Sequence, residues 1–259
     1  MIKFFRKIRQ NLLSEGKTGK YLKYAIGEIL LVVIGILIAL QINNWNEEHK
    51  KKALMITNIK SIAEDIQADI FDIQKANKSL HNQIVAAKNI IPIMESENRF
   101  IADSLKFIMD FNSFTTTPII SERSNTWSFL NSSGVVSEFP DSKLLRLLQD
   151  YYKNYNDVVT NFTNSGNPVR LELRKLKYEL FSDTEHRKFF PTNSPKAPGL
   201  EVYNSIFEDG RILPLCRFIG STANYFENSF NSVQNKAETI LDYIDEKYNY
   251  KKTKAQQRV

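Results

Sequence analysis

The stretch Tyr21 to Trp45, YLKYAIGEILLVVIGILIALQINNW, constrains this chain more than any other, because so long an apolar run can be solvated in few ways. Its unbroken centre, Ile29 to Leu40, covers roughly 18 Å at about 1.5 Å per helical residue, short of a hydrocarbon layer about 30 Å thick. Extending it from Tyr21 to Ile42 gives roughly 33 Å of helix. Tyr21 and Tyr24 then mark one water interface and Trp45 the other, as an aromatic belt. A cleaved signal peptide fits less well, since no small-residue cleavage motif follows Leu40 and the basic segment ahead of the run is too long. A retained transmembrane helix over residues 21–45 is the expectation.

Charge gives that helix a direction. Lys3, Arg6, Lys7, Arg9, Lys17, Lys20 and Lys23 precede it, whereas Lys50, Lys51 and Lys52 follow beside Glu47 and Glu48. The positive-inside rule therefore places the N-terminus in the cytoplasm and residues 46–250 outside it, in the periplasm of a cell with an inner membrane. The seven basic residues against Glu15 and Glu28 give residues 1–46 a net +5, leaving +1 of the chain's +6 for the rest. The basicity thus points to anionic lipid headgroups and away from nucleic acid. Within residues 1–20, Ile2, Phe5, Ile8 and Leu12 share a helical face, so this tail is expected to lie on the membrane as an interfacial helix. It is too short for a catalytic domain.

Glu28 is the anomaly inside the span, because an ionised carboxylate in lipid needs a partner or a route to the headgroups. Lys20 and Lys23 offer such a route. Glu28 also shares a face with Val32, Gly35, Ala39 and Ile42, and Gly35 with Ala39 forms the small-xxx-small spacing that lets a second helix approach. Glu28, Gly35 and Ala39 are therefore the candidate pairing face, its partner another membrane protein or a second copy of this chain.

Beyond the span, the apolar pattern is helical. Counting heptads from Ile56 puts Ile56, Ala63, Ile70, Asn77, Ile84 and Ile91 at a, and Ile59, Ile66, Ile73, Leu80, Ala87 and Met94 at d. Eleven of these twelve are apolar, which predicts a long helix ended or kinked at Pro92. Such a seam serves an inter-chain coiled coil or the core of an intramolecular bundle. Partner helices exist within the chain. Ser142 to Asn164 presents Leu145, Leu148, Tyr152, Tyr155, Val159 and Phe162, and Ser221 to Tyr250 presents Phe226, Phe230, Val233, Ala237, Ile240, Ile244 and Tyr248. Shorter helices are expected over residues 98–111, 124–133 and 169–181. Loops are expected at 112–118, at Gly166-Asn167-Pro168 and at 191–199, with a basic tail at 251–259. The fold class is all-α: one N-terminal transmembrane helix, then an extracytoplasmic helical bundle with a long first helix.

The residues Tyr24-Ala25-Ile26-Gly27-Glu28-Ile29 and Asn43-Asn44-Trp45-Asn46 carry a resemblance. Over residues 1–46 the chain resembles an uncharacterised family of single-pass membrane proteins from Bacteroidota. Beyond, the likeness thins to Leu130, Gly134 and the stretch from Lys143 to Tyr152. The resemblance implies the membrane topology and brings no activity or cofactor.

Motifs for chemistry are sparse. The sequence has no phosphate loop, no Gly-x-Ser-x-Gly elbow and no His-Glu-x-x-His, and His49, His81 and His186 lack ligand spacing. No cofactor, metal or catalytic residue is predicted. The single cysteine, Cys216, sits among apolar neighbours as a buried thiol. Trp127, Tyr151, Tyr152 and Tyr155 form a candidate aromatic pocket if the fold brings them together. The expected function is a non-enzymatic, membrane-anchored interaction or sensory module acting through a partner protein; the alternative is a membrane-tethered periplasmic enzyme.

Overall fold

The computed structural model describes residues 18–190 and 193–250, and within these every regular element is helical. The expected interfacial helix of the N-terminal tail, the tail at 251–259 and the side chain of Tyr21 lie outside the described residues. The chain divides into two units, residues 1–57 and 58–259.

Helix α1 spans Thr18–Glu95 and contributes to both units. In the first unit it is apolar enough to cross a membrane, and none of its most apolar window is buried. Leu22, Ile29, Leu31, Ile42 and Trp45 are all at least 60% exposed. The edge of Trp45 meets the ring of His49 at 4.4 Å.

In the second unit, α1 packs against helices from its own chain. These are α2 (Ser104–Phe114), α3 (Asn125–Ser132), α4 (Ser142–Asn161), α5 (Asn167–Leu180), α6 (Asp183–Phe189), α7 (Leu200–Glu208) and α8 (Ile212–Tyr248). A 3-10 turn, Val135–Glu138, follows α3, and a π-helical turn, Phe162–Gly166, joins α4 to α5. Helix starts follow their caps: Asp103 accepts from the Lys106 N–H, and Asp141 accepts from the N–H groups of Lys143 and Leu144. Gly134 ends α3 with φ +74°, a left-handed conformation that glycine adopts without cost.

The d positions behave as the heptads predict, with Ile59, Ile66, Ile73 and Leu80 buried inside a single chain. The second buried line does not. It runs through Ile62, Asp69, Ala76, Gln83 and Ile90, one residue ahead of the a positions; of the apolar a positions only Ala63 is buried, while Ile56 is exposed and Ile70, Ile84 and Ile91 are half-buried. Asn77, expected in the core, lies at its edge and donates to Asn231 Oδ1 at 2.8 Å. The helix is therefore turned so that two polar residues, Asp69 and Gln83, enter the core at 0% exposure.

Three boundaries also differ from expectation. Pro92 sits inside α1, which ends three residues later where the Ser96 N–H reaches the carbonyls of Pro92 and Ile93. Residues 112–114 belong to α2 instead of a loop. Gly166-Asn167-Pro168 makes no turn: Gly166 and Asn167 keep right-handed helical angles, and Pro168 occupies the first turn of α5, where its missing N–H costs nothing. Glycine is required there by packing, since a Cβ on Gly166 would lie 2.8 Å from the Phe226 ring. Gly220 plays the same role in α8, which starts earlier than predicted; a Cβ there would fall 2.6 Å from Ala87 Cβ of α1.

Candidate functional site

The residues predicted from sequence fall into two places. Glu28, Gly35 and Ala39 lie on α1 in the first unit; Glu28 is half-buried, Gly35 and Ala39 are exposed, and a Cβ on Gly35 would touch nothing within 4 Å. The four aromatic residues belong to the second unit and do come together. Helical spacing on α4 puts Tyr151, Tyr152 and Tyr155 on adjoining faces, and α3 brings Trp127 onto Tyr152 in a near-parallel stack, centroids 5.2 Å apart and 11° between planes. Tyr151 packs edge-on to Tyr152 at 5.0 Å and tilted against Tyr155 at 5.8 Å. All four rings are buried against one another. Only Trp127 and Tyr152 reach a shallow surface depression, which they share with Glu122, Gln149 and Lys153.

Asp69 is the polar centre of this cluster. It accepts from Tyr151 Oη at 2.9 Å and from the Arg123 N–H at 2.8 Å, while the Arg123 guanidinium pairs with Asp72 at 2.7 Å. Burial pushes the Asp69 carboxyl up to about 7; the Tyr151 hydroxyl and Arg123 oppose that rise without cancelling it, and the nearby Glu122 carboxylate adds to it. Burial likewise raises the Tyr151 hydroxyl, and the Asp69 charge raises it further. The carboxyl is sealed from solvent, so the arrangement holds the 115–124 connection against α1 and offers no acid or base to a substrate. Thr126 adds to the hold by donating to Asp65 at 2.8 Å, and Tyr155 by donating to the Ser121 carbonyl.

The other end of the same connection is held by Gln83, which donates to the Thr116 carbonyl at 2.8 Å. Its Oε1 accepts from Arg170 Nε and Nη2 at 3.0 and 2.7 Å, and Arg170 Nη1 donates to the Gly166 carbonyl at 2.7 Å. Arg170 is fully buried and its partners are neutral oxygens. Burial alone brings its guanidinium down to about 10. One turn on, Arg174 donates to the Thr115 carbonyl at 2.8 Å and Lys177 to Asn112 Oδ1 at 2.6 Å. Burial, reinforced by the Arg174 charge, lowers the Lys177 ammonium to about 8. Cys216 is buried in the apolar core, where desolvation pushes its thiol up and makes it inert.

A third polar hub joins the ends of α4 and α8. Asp141 accepts from Lys247 Nζ at 2.7 Å and from the Tyr243 and Tyr248 hydroxyls, each at 3.0 Å. Burial would raise this carboxyl, but the Lys247 ammonium, the Leu144 N–H and the two hydroxyls outweigh it and hold the group down at about 2.

Sequence reasoning missed Asp69, Gln83 and Arg170 because each is polar and none fits an apolar stripe. The available signal was the spacing of Asp69 and Gln83, two heptads apart on a line otherwise filled by Ile62, Ala76 and Ile90.

Among the described residues, other concave regions besides that depression include the following two. One, between α4 and α8, has Asn154, Asp157, Asn161, Tyr225 and Asn228 on its walls. The other lies beside Arg99, which holds a left-handed φ of +46° and sets its guanidinium 5.3 Å from the Phe207 ring centre; Phe100 and Leu200 flank it, 70% and 72% exposed.

Comparison with curated proteins and with solved structures gives no match. A family model does match, over residues 28–182, which carries the likeness well past the first 46 residues into the helices holding Asp69, Gln83, the aromatic cluster and Arg170. Covering more than half of the chain, that match shows that the protein belongs to the family of unknown function DUF6090.

Proposed function

We propose that this chain is a single-pass inner-membrane protein with a cytoplasmic N-terminus, whose residues 46–250 form a periplasmic helical bundle. The bundle serves as an interaction or sensory module that acts through a partner and not as an enzyme. The observation that carries this reading is the uncovered apolar surface of α1 from Leu22 to Ile42. Contiguous apolar surface of that extent is satisfied by lipid or by another helix and not by water. The basic residues from Lys3 to Lys23 supply the orientation, each gaining about 1 kcal/mol near anionic headgroups.

Glu28, Gly35 and Ala39 are the face through which α1 meets a second transmembrane helix, from another membrane protein or a second copy. A membrane association reporter tests this. Gly35→Ile and Ala39→Ile add apolar bulk, so insertion survives while close approach and association are lost. Glu28→Gln keeps most association, because interhelical hydrogen bonds contribute only about 0.6–2 kcal/mol. Unchanged association in all three variants would reduce α1 to a simple anchor.

A further inference from the structure

Just past the end of α4, the π-helical turn meets α8 through aromatic packing, where Phe162 lies edge-on to Phe226 at 4.9 Å and to Phe230 at 5.7 Å. Beside that contact, α4 and α8 line a groove of about 550 Å³ whose walls are mostly polar. Asn154, Asp157 and Asn161 recur at three- and four-residue spacing along α4, and Tyr225, Asn228 and Ser232 do the same along α8, so each set shares one face. The π-helical turn begins at Phe162, immediately after Asn161; such turns are frequent at functional sites.

The polar groups of this groove are poorly used by the protein. Asn154 borders the groove, and its Oδ1 is sealed from solvent with no hydrogen-bond partner, a costly state for a carbonyl oxygen. Asn161 Nδ2 donates to Tyr225 Oη at 3.3 Å, leaving the phenolic proton to be given away. Tyr225 is 56% exposed, and its ring is steadied edge-on by Phe226 at 5.1 Å. Side-chain amides donate to and accept from vicinal hydroxyls, a carboxylate accepts from them, and an exposed aromatic face packs on the C–H surface of a pyranose ring. Among the described residues, Asp157 is the one charged residue on the lining, with no Lys or Arg beside it, which disfavours an anionic ligand.

We propose that the groove between α4 and α8 is a binding site for a neutral sugar, with Tyr225 as the stacking platform and Asp157 and Asn228 as hydroxyl partners. The site is independent of which side of the membrane the domain occupies. The test uses the full chain in lipid nanodiscs, free of sugar-headed detergent, titrated with N-acetylglucosamine tetramer and with maltotetraose. Saturation-transfer NMR is expected to show transfer from protein to ring protons of at least one of the two, saturating with concentration. Tyr225→Ala and Asn228→Ala alter exposed side chains, so helicity by circular dichroism should be unchanged while affinity falls at least tenfold; Tyr225→Phe, which keeps the ring, should stay within about threefold. Absence of saturable binding by both sugars, or binding that Tyr225→Ala and Asn228→Ala leave intact, would overturn the proposal.

Discussion

The Gln83–Arg170 pair offers the sharpest test of how the second unit holds together. Gln83→Met removes the acceptor of two guanidinium bonds and leaves Arg170, fully buried, with the Gly166 carbonyl as its remaining hydrogen-bond acceptor. Breaking a buried charged interaction from one side costs about 3–5 kcal/mol, because the stranded charge keeps its desolvation penalty. Arg170→Met leaves neutral oxygens, Gln83 Oε1 and the Gly166 carbonyl, without the guanidinium as donor, for about 1–3 kcal/mol. The double variant Gln83→Met with Arg170→Met replaces both groups by apolar volume, and substitutions of that kind are often nearly neutral. The double variant is therefore expected to be less destabilised than the two single changes added together, about 4–8 kcal/mol, with a coupling of at least about 2 kcal/mol. Urea unfolding of the chain from residue 47 onward, followed by circular dichroism at 222 nm, measures all four corners of the cycle. Additivity within about 0.5 kcal/mol would refute the view that these residues act as one unit.

Asp69 makes stability depend on pH in an unusual direction. Its folded pKa of about 7 lies above the unfolded 3.8, so the folded state holds the proton more tightly; the contribution is fully present below pH 4 and is lost as pH rises to 7, by at most about 4 kcal/mol. Asp69→Asn should flatten that part of the pH profile, and an unchanged slope would count against it. Asp141, at about 2, acts oppositely: its contribution is present above pH 4 and is lost as pH falls through 2, so Asp141→Asn should blunt acid unfolding in that window. Gly220→Val should cost about 1–3 kcal/mol by driving α8 off Ala87, measured as a lower urea midpoint at constant m-value.

The long helices were legible because periodicity survives substitution: Phe226, Phe230, Val233, Ala237, Ile240 and Ile244 all face the core as read. The face of α1 was misread by one residue. Apolar character favours Ile70 and Ile84 over Asp69 and Gln83, and nothing local reveals that Tyr151, Arg123 and Arg170 will arrive from 54 to 87 residues away to satisfy them. The same limit applies at Gly166-Asn167-Pro168. Its composition spells a turn, but the packing of Phe226 against Gly166 favours a helix that widens by one residue and continues. Trp127 and the three tyrosines were identifiable as a group, yet their stacking on one another depends on where α3 lands.

The central claim, that the helical domain is carried across the membrane by a retained α1, is tested most directly by fusing alkaline phosphatase after residue 60 in living cells. The enzyme folds only outside the cytoplasm. An active reporter in the membrane fraction, on a protein whose N-terminal sequence still begins at Met1 or Ile2, is the predicted result. An inactive reporter, or a mature N-terminus after Leu40, would contradict it.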